Sequence, residues 1–80
     1  MIFPNPASDV IHIQSNNFSI QNYTIILKDI TGKTIRKIML NSALTDFKLT
    51  VENISNGIYF LSIENANNRL VKKIMIEKTE

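Results

Sequence analysis

The side chain best equipped for proton transfer or metal ligation in this sequence is His12, its only histidine. An imidazole serves as a base or ligand when a carboxylate or further ligands converge on it. The acids Asp9, Asp29, Asp46, Glu52 and Glu64 instead fall singly at the ends of apolar segments and in turns. That spacing is unlike the dense oxygen ligands of a calcium loop. The absence of cysteine excludes disulfides and thiolate metal sites. Serine and threonine hydroxyls need a neighbouring base to become nucleophiles, and His12 is the sole candidate. Gly32 and Gly57 are too few and too far apart to cradle a phosphate. His12 therefore reads as an outward strand residue, and the chain as a protein without a catalytic, cofactor or metal site.

Binding chemistry is equally sparse. Sugar-binding modules present flat aromatic platforms, but there is no Trp, and core packing accounts for Phe3, Phe18, Phe47 and Phe60. Asn17-Phe18-Ser19, Asn22-Tyr23-Thr24 and Asn53-Ile54-Ser55 match the glycosylation acceptor pattern by chance in an Asn-rich chain. Pro4-Asn5-Pro6 fixes φ twice and forces extended geometry before each proline, which makes a stiff lead-in. Asn56-Gly57 reads as a turn, because Gly tolerates positive φ.

The elements that carry these residues are short apolar segments separated by polar turns, with no helical period. The segments are Met1–Phe3, Val10–Gln14, Tyr23–Ile30, Thr34–Leu40, Phe47–Val51, Ile58–Glu64 and Leu70–Glu77. Ile11 and Ile13 alternate against Val10 and His12, and Tyr23, Ile25 and Leu27 against Thr24, Ile26 and Lys28. Thr31-Gly32-Lys33 joins two segments as a hairpin. Ile58–Glu64 is apolar on both faces, with Tyr59, Leu61 and Ile63 on one and Ile58 and Phe60 on the other, as befits a strand central in its sheet. In the last segment Leu70, Ile74 and Ile76 share a face with Lys72. About seven strands at this spacing predict an all-β protein, a β-sandwich of antiparallel strands. No helix is needed, and Ala7–Asp9 allows a single turn at most.

Eighty residues make one domain, 1–80, with a thin core. Hydrophobic residues at 44% and charged residues at 20% are those of a globular protein, not a disordered one. A net charge of +2, with basic residues scattered until Arg69, Lys72, Lys73 and Lys78, argues against nucleic acid as a partner. No apolar run approaches the ~20 residues of a membrane helix, so no direct membrane insertion is expected. The start, Met1-Ile2-Phe3-Pro4, lacks the features of a signal peptide and reads as the beginning of a piece of something longer.

Taken in order, four stretches are more specific than any alone: Phe3-Pro4-Asn5-Pro6-Ala7-Ser8-Asp9; Ile25–Ile35 with its Lys28-Asp29-Ile30-Thr31-Gly32-Lys33 core; Ile54-Ser55-Asn56-Gly57-Ile58-Tyr59-Phe60-Leu61; and Val71–Lys78. Over essentially its whole length the chain resembles the type A C-terminal sorting domain of the type IX (Por) secretion system of Bacteroidota. The resemblance implies a seven-stranded immunoglobulin-like sandwich at the C-terminus of a secreted cargo. It implies passage to the periplasm by a signal peptide on the full-length protein, then export through the outer-membrane translocon to the cell surface or medium. A sortase-like peptidase then removes the domain by cutting upstream of it. By position, the family's recognition elements fall on Pro4, Asn5 and Pro6, on Gly57 and Tyr59, and on Lys72, Lys73 and Lys78. Lys28 stands where the family often carries an aromatic residue, and Thr79-Glu80 runs past the usual final lysine.

The expected partners are therefore the translocon and the peptidase. The translocon would read folded surface together with the last hairpin, Tyr59–Lys78, capturing the terminal strand by strand addition, with the lysines meeting acidic groups. Edge protection against aggregation explains the same lysines equally well. A bare edge strand also leaves room for a weak homodimer. Two competing readings are an immunoglobulin-like adhesion or carbohydrate-binding accessory module, and a structural end-cap on a surface protein.

Overall fold

The computed structural model describes residues 2–4, 6–14, 23–40, 46–66 and 69–78. Its strands are β1 (Ile2–Phe3), β2 (Val10–Gln14), β3 (Tyr23–Asp29), β4 (Thr34–Leu40), β5 (Asp46–Thr50), β6 (Gly57–Glu64) and β7 (Arg69–Ile76). They form two antiparallel sheets, ordered β1-β2-β5 and β4-β3-β6-β7, and the fold is an all-β, immunoglobulin-like sandwich. The core lies between the sheets, where alternation places Ile11 and Ile13 of β2 and Leu49 of β5 opposite Ile25 and Leu27 of β3, Leu61 of β6 and Ile74 and Ile76 of β7.

β4 poses a local problem that the backbone solves. Ile35 and Ile38 are three residues apart, an odd spacing that puts them on opposite faces of a regular strand. A bulge between Leu27 and Lys28 shifts the register from Leu27–Arg36 to Lys28–Thr34. The extra residue is Ile35, and both isoleucines pack against the core.

The β3–β4 turn is built by Asp29. Its Oδ1 accepts from the Thr31 hydroxyl at 2.6 Å, the Thr31 amide at 2.9 Å and the Lys33 amide at 3.0 Å. Gly32, at φ +90°, occupies the left-handed region that a side chain would strain. This arrangement stops β3 at Asp29, one residue earlier than the apolar run suggests, and leaves Ile30 in solvent. The Thr31 hydroxyl, followed by the Lys33 and Thr31 amides, holds the Asp29 carboxyl below its ordinary 3.8. A carboxylate with a lowered folded pKa stabilises the fold above the unfolded value and loses that contribution as pH falls through the folded value. Amide exchange at Thr31 and Lys33 is therefore expected to accelerate below about pH 4, and Asp29→Ala to abolish that acid step.

Several sequence expectations change in three dimensions. Ala7–Asp9 makes no helical turn: Ala7 is fully buried and forms a parallel bridge with Ile76. Val51 leaves β5 but stays buried, its amide donating to the Asp9 carbonyl at 2.7 Å. Leu70 is 55% exposed despite sharing a face with Ile74. β7 is eight residues long and β1 only two, so the smaller sheet does not extend over the start of β7. Phe3 and Phe60 are not core residues. Phe3 pairs with His12 across β1 and β2, and their rings stack at 5.0 Å and 11°; Phe60 faces outward from β6. Phe18 lies outside the described residues.

Candidate recognition site

The residues expected to matter sit on three elements: the lead-in to β2, the start of β6, and β7 with its tail. Pro4 and Pro6 are exposed, with a cis bond between Phe3 and Pro4; Asn5 lies outside the described residues. After Pro6 the chain runs alongside the end of β7. The Ala7 amide donates to the Met75 carbonyl and the Glu77 amide to the Ala7 carbonyl, both at 2.8 Å. The side chain at position 7 is fully enclosed there, and a methyl group is compatible with so close an approach of two backbones.

Gly57 opens β6 at φ +158°, and a Cβ there would meet only the Tyr59 ring, at an ordinary 3.6 Å. Tyr59 is buried, and its hydroxyl donates to the Ser55 carbonyl at 2.7 Å. A phenol that bonds back across the turn pins the path of the chain between the two sheets, because a buried hydroxyl needs a partner. Tyr59→Phe is expected to cost about 0.5–1.5 kcal/mol in urea unfolding, with no change in the strands seen by circular dichroism.

The three lysines, which form one basic cluster on paper, separate in space. Lys72 shares the inward face of β7 with Ile74, and its Nζ crosses the rim to donate to the Ile2 carbonyl of β1 at 3.3 Å. Lys78 lies beyond β7, half-buried. Its amide donates to Asn56 Oδ1 at 2.9 Å, and its Nζ donates to the carbonyls of Ser8 and Val51. Both side chains thus join the larger sheet to the lead-in and to the smaller sheet. Lys73 alone projects from the outward face, opposite Phe60 in register. Sequence reasoning singled out Lys78 but not its acceptors, which are main-chain carbonyls and carry no residue signature.

β7 is an edge strand of its sheet. Its outer side is covered by Ala7 at Ile76, so the edge is not bare at that end. Strand alternation turns the main-chain groups of Arg69, Val71 and Lys73 toward the same side. Among the described residues no three His, Asp or Glu side chains converge, and no helix is long and apolar enough to cross a membrane.

Comparison with known proteins matches the chain to a family and to solved folds. Residues 1–77 match the model of the family described as the secretion system C-terminal sorting domain. The fold matches a solved structure of PorZ, described as an essential bacterial surface component of the type IX secretion system of Porphyromonas gingivalis, with a TM-score of 0.75 and 15% identity. That match covers 98% of this chain and 11% of PorZ, so the likeness is one of fold over a small part of a larger protein. No curated protein matches the chain.

Proposed function

The chain belongs to the secretion system C-terminal sorting domain family and carries a type IX sorting signal for export to the cell surface or beyond, and on that premise we propose that the signal is read as a folded sandwich and not as a linear tail. The observation that carries this reading is the pairing of the chain's two ends, through Ala7 with Ile76 and Lys78 with Ser8. The elements matching the family's motifs are thereby assembled by folding, since Lys78 meets Asn56 beside Gly57 and the segment that follows Pro6.

In this scheme residues 1–80 form the terminal domain of a secreted protein, which reaches the translocon from the periplasm. β7 offers its edge from Arg69 toward Lys73, which no strand pairs among the described residues, for strand addition by the translocon. A sortase-like peptidase cuts upstream of β1, where cleavage leaves both sheets intact. Pro4, Asn5, Pro6, Gly57, Tyr59, Lys72 and Lys78 shape the recognised surface, and Lys73 faces the partner.

The test fuses the chain behind a signal peptide and a reporter in a bacterium with a working type IX translocon. The reporter is expected on the surface or in the medium, with a new C-terminus upstream of Ile2 by mass spectrometry. Equal export from a strain lacking the translocon would overturn the reading.

A further inference from the structure

β6 is apolar on both faces, and burial of its inner face explains only half of that pattern. In an antiparallel sheet with one face on the core, the other face is normally polar. Here the outward residues of β6 and β7 include Ile58, Phe60, Val71 and Met75, each between 37% and 48% exposed. Register makes them one patch. Ile58 lies opposite Met75, and Ser62 opposite Val71. Phe60 lies between Lys28 on β3 and Lys73 on β7. Ile58, Met75, Ile74 and Lys73 also line a shallow pocket of about 190 Å³, room for about six waters or one apolar side chain.

The charges beside Phe60 have one sign, while the exposed acid Glu77 follows two residues beyond Met75, at the end of the patch. Lys28 and Lys73 flank Phe60, whereas Glu64, an outward acid on β6, is engaged by Arg69 at 3.4 Å further along the sheet. From this the geometry points to a docking face for a protein segment that presents an apolar side chain flanked by carboxylates. The apolar side chain enters the pocket beside Phe60, and the carboxylates meet Lys28 and Lys73. A second copy of this chain fits poorly, because a two-fold contact centred on Phe60 would set Lys28 and Lys73 against the same lysines of the other copy. Nor does the chain hold a matching segment, since Glu77 and Glu80, its two acids nearest in sequence, have Lys78 and Thr79 between them and no apolar side chain.

The inference rests on the sorting reading and extends the recognised surface from the β7 edge, where Lys73 faces the partner, across the outward sheet face to Phe60 and Lys28. The experiment compares export of the reporter fusion carrying K28E/K73E, K28R/K73R or K48E, with the fusion lacking residues 1–80 as reference. Lys48 is exposed on β5, in the smaller sheet, and controls for charge reversal as such. Trypsin resistance of the domain within each fusion verifies folding. K28E/K73E is expected to lower export at least about tenfold, with K28R/K73R and K48E within about twofold of the unaltered chain. A photo-crosslinking residue in place of Phe60 is expected to map to an acidic segment of a partner protein in exporting cells. Unchanged export of K28E/K73E, or an equal loss with K48E, overturns the docking face. A crosslink to lipid, or flotation with vesicles containing phosphatidylglycerol that K28E/K73E abolishes, overturns it in favour of a membrane surface. If the fusion lacking residues 1–80 is exported normally, it is the sorting reading that fails.

Discussion

Deletion of Leu70–Glu80 is expected to abolish export and folding together. β7 contributes Ile74 and Ile76 to the core, each 1% exposed, and pairs with β6 along its whole length from Gly57 to Glu64. Burial of two isoleucines is worth about 3–6 kcal/mol, while a domain of this size has about 4–12 kcal/mol in total. The truncated chain also exposes one side of β6 as a new edge. Circular dichroism and trypsin sensitivity are expected to report an unfolded tail on a reporter that stays inside the cell. A truncated domain that keeps its protease resistance would show that β7 is dispensable to the sandwich. Such a deletion cannot separate a signal in β7 from the strand's structural part, so substitutions on its outward face are the sharper probe.

Lys78→Met is expected to lower stability by about 1–3 kcal/mol while keeping the side chain's length and apolar stem. The change removes the donor to the carbonyls of Ser8 and Val51. Val51 keeps the Ile54 amide at 3.1 Å, so the larger loss falls at Ser8. A half-buried ammonium surrounded by carbonyl dipoles makes charge-assisted bonds that a thioether cannot replace. The signature is local as well as global. Amide exchange at Ala7 and Glu77, which bond across the same junction, should accelerate more than at Leu27 or Leu61 in the core. Urea midpoints and exchange rates equal to those of the unaltered chain would refute the clamp. If the translocon reads the assembled ends, export should fall in step with this local opening.

Much of the fold was legible because strands write a period of two into sequence. Val10–Gln14 and Thr34–Leu40 run as the sequence predicts, and the hairpin through Thr31-Gly32-Lys33 and the central place of β6 follow from residue types alone. Less was legible wherever a residue's partner is backbone or is distant in sequence. Ala7 carries no signal of its burial, because its bridge to Ile76 depends on the lead-in crossing to the other sheet. Leu70 and Phe60 look like core residues but are uncovered, since coverage depends on the extent and placement of the opposing sheet.

The lone histidine, His12, and the lack of cysteine were determined by composition. Residue spacing and order determined the all-β class and the run of family motifs from Pro4 to Lys78. Only the tertiary structure decided what the three C-terminal lysines do. Lys72 and Lys73 are adjacent in sequence, and the pleat sends them to opposite faces of β7. Lys72 reaches Ile2, Lys78 closes on Ser8 and Val51, and Lys73 stands beside Phe60 on the outward sheet. A run of like residues states a charge, but the face on which each side chain emerges, and the carbonyls that meet it there, depend on how the two sheets pack.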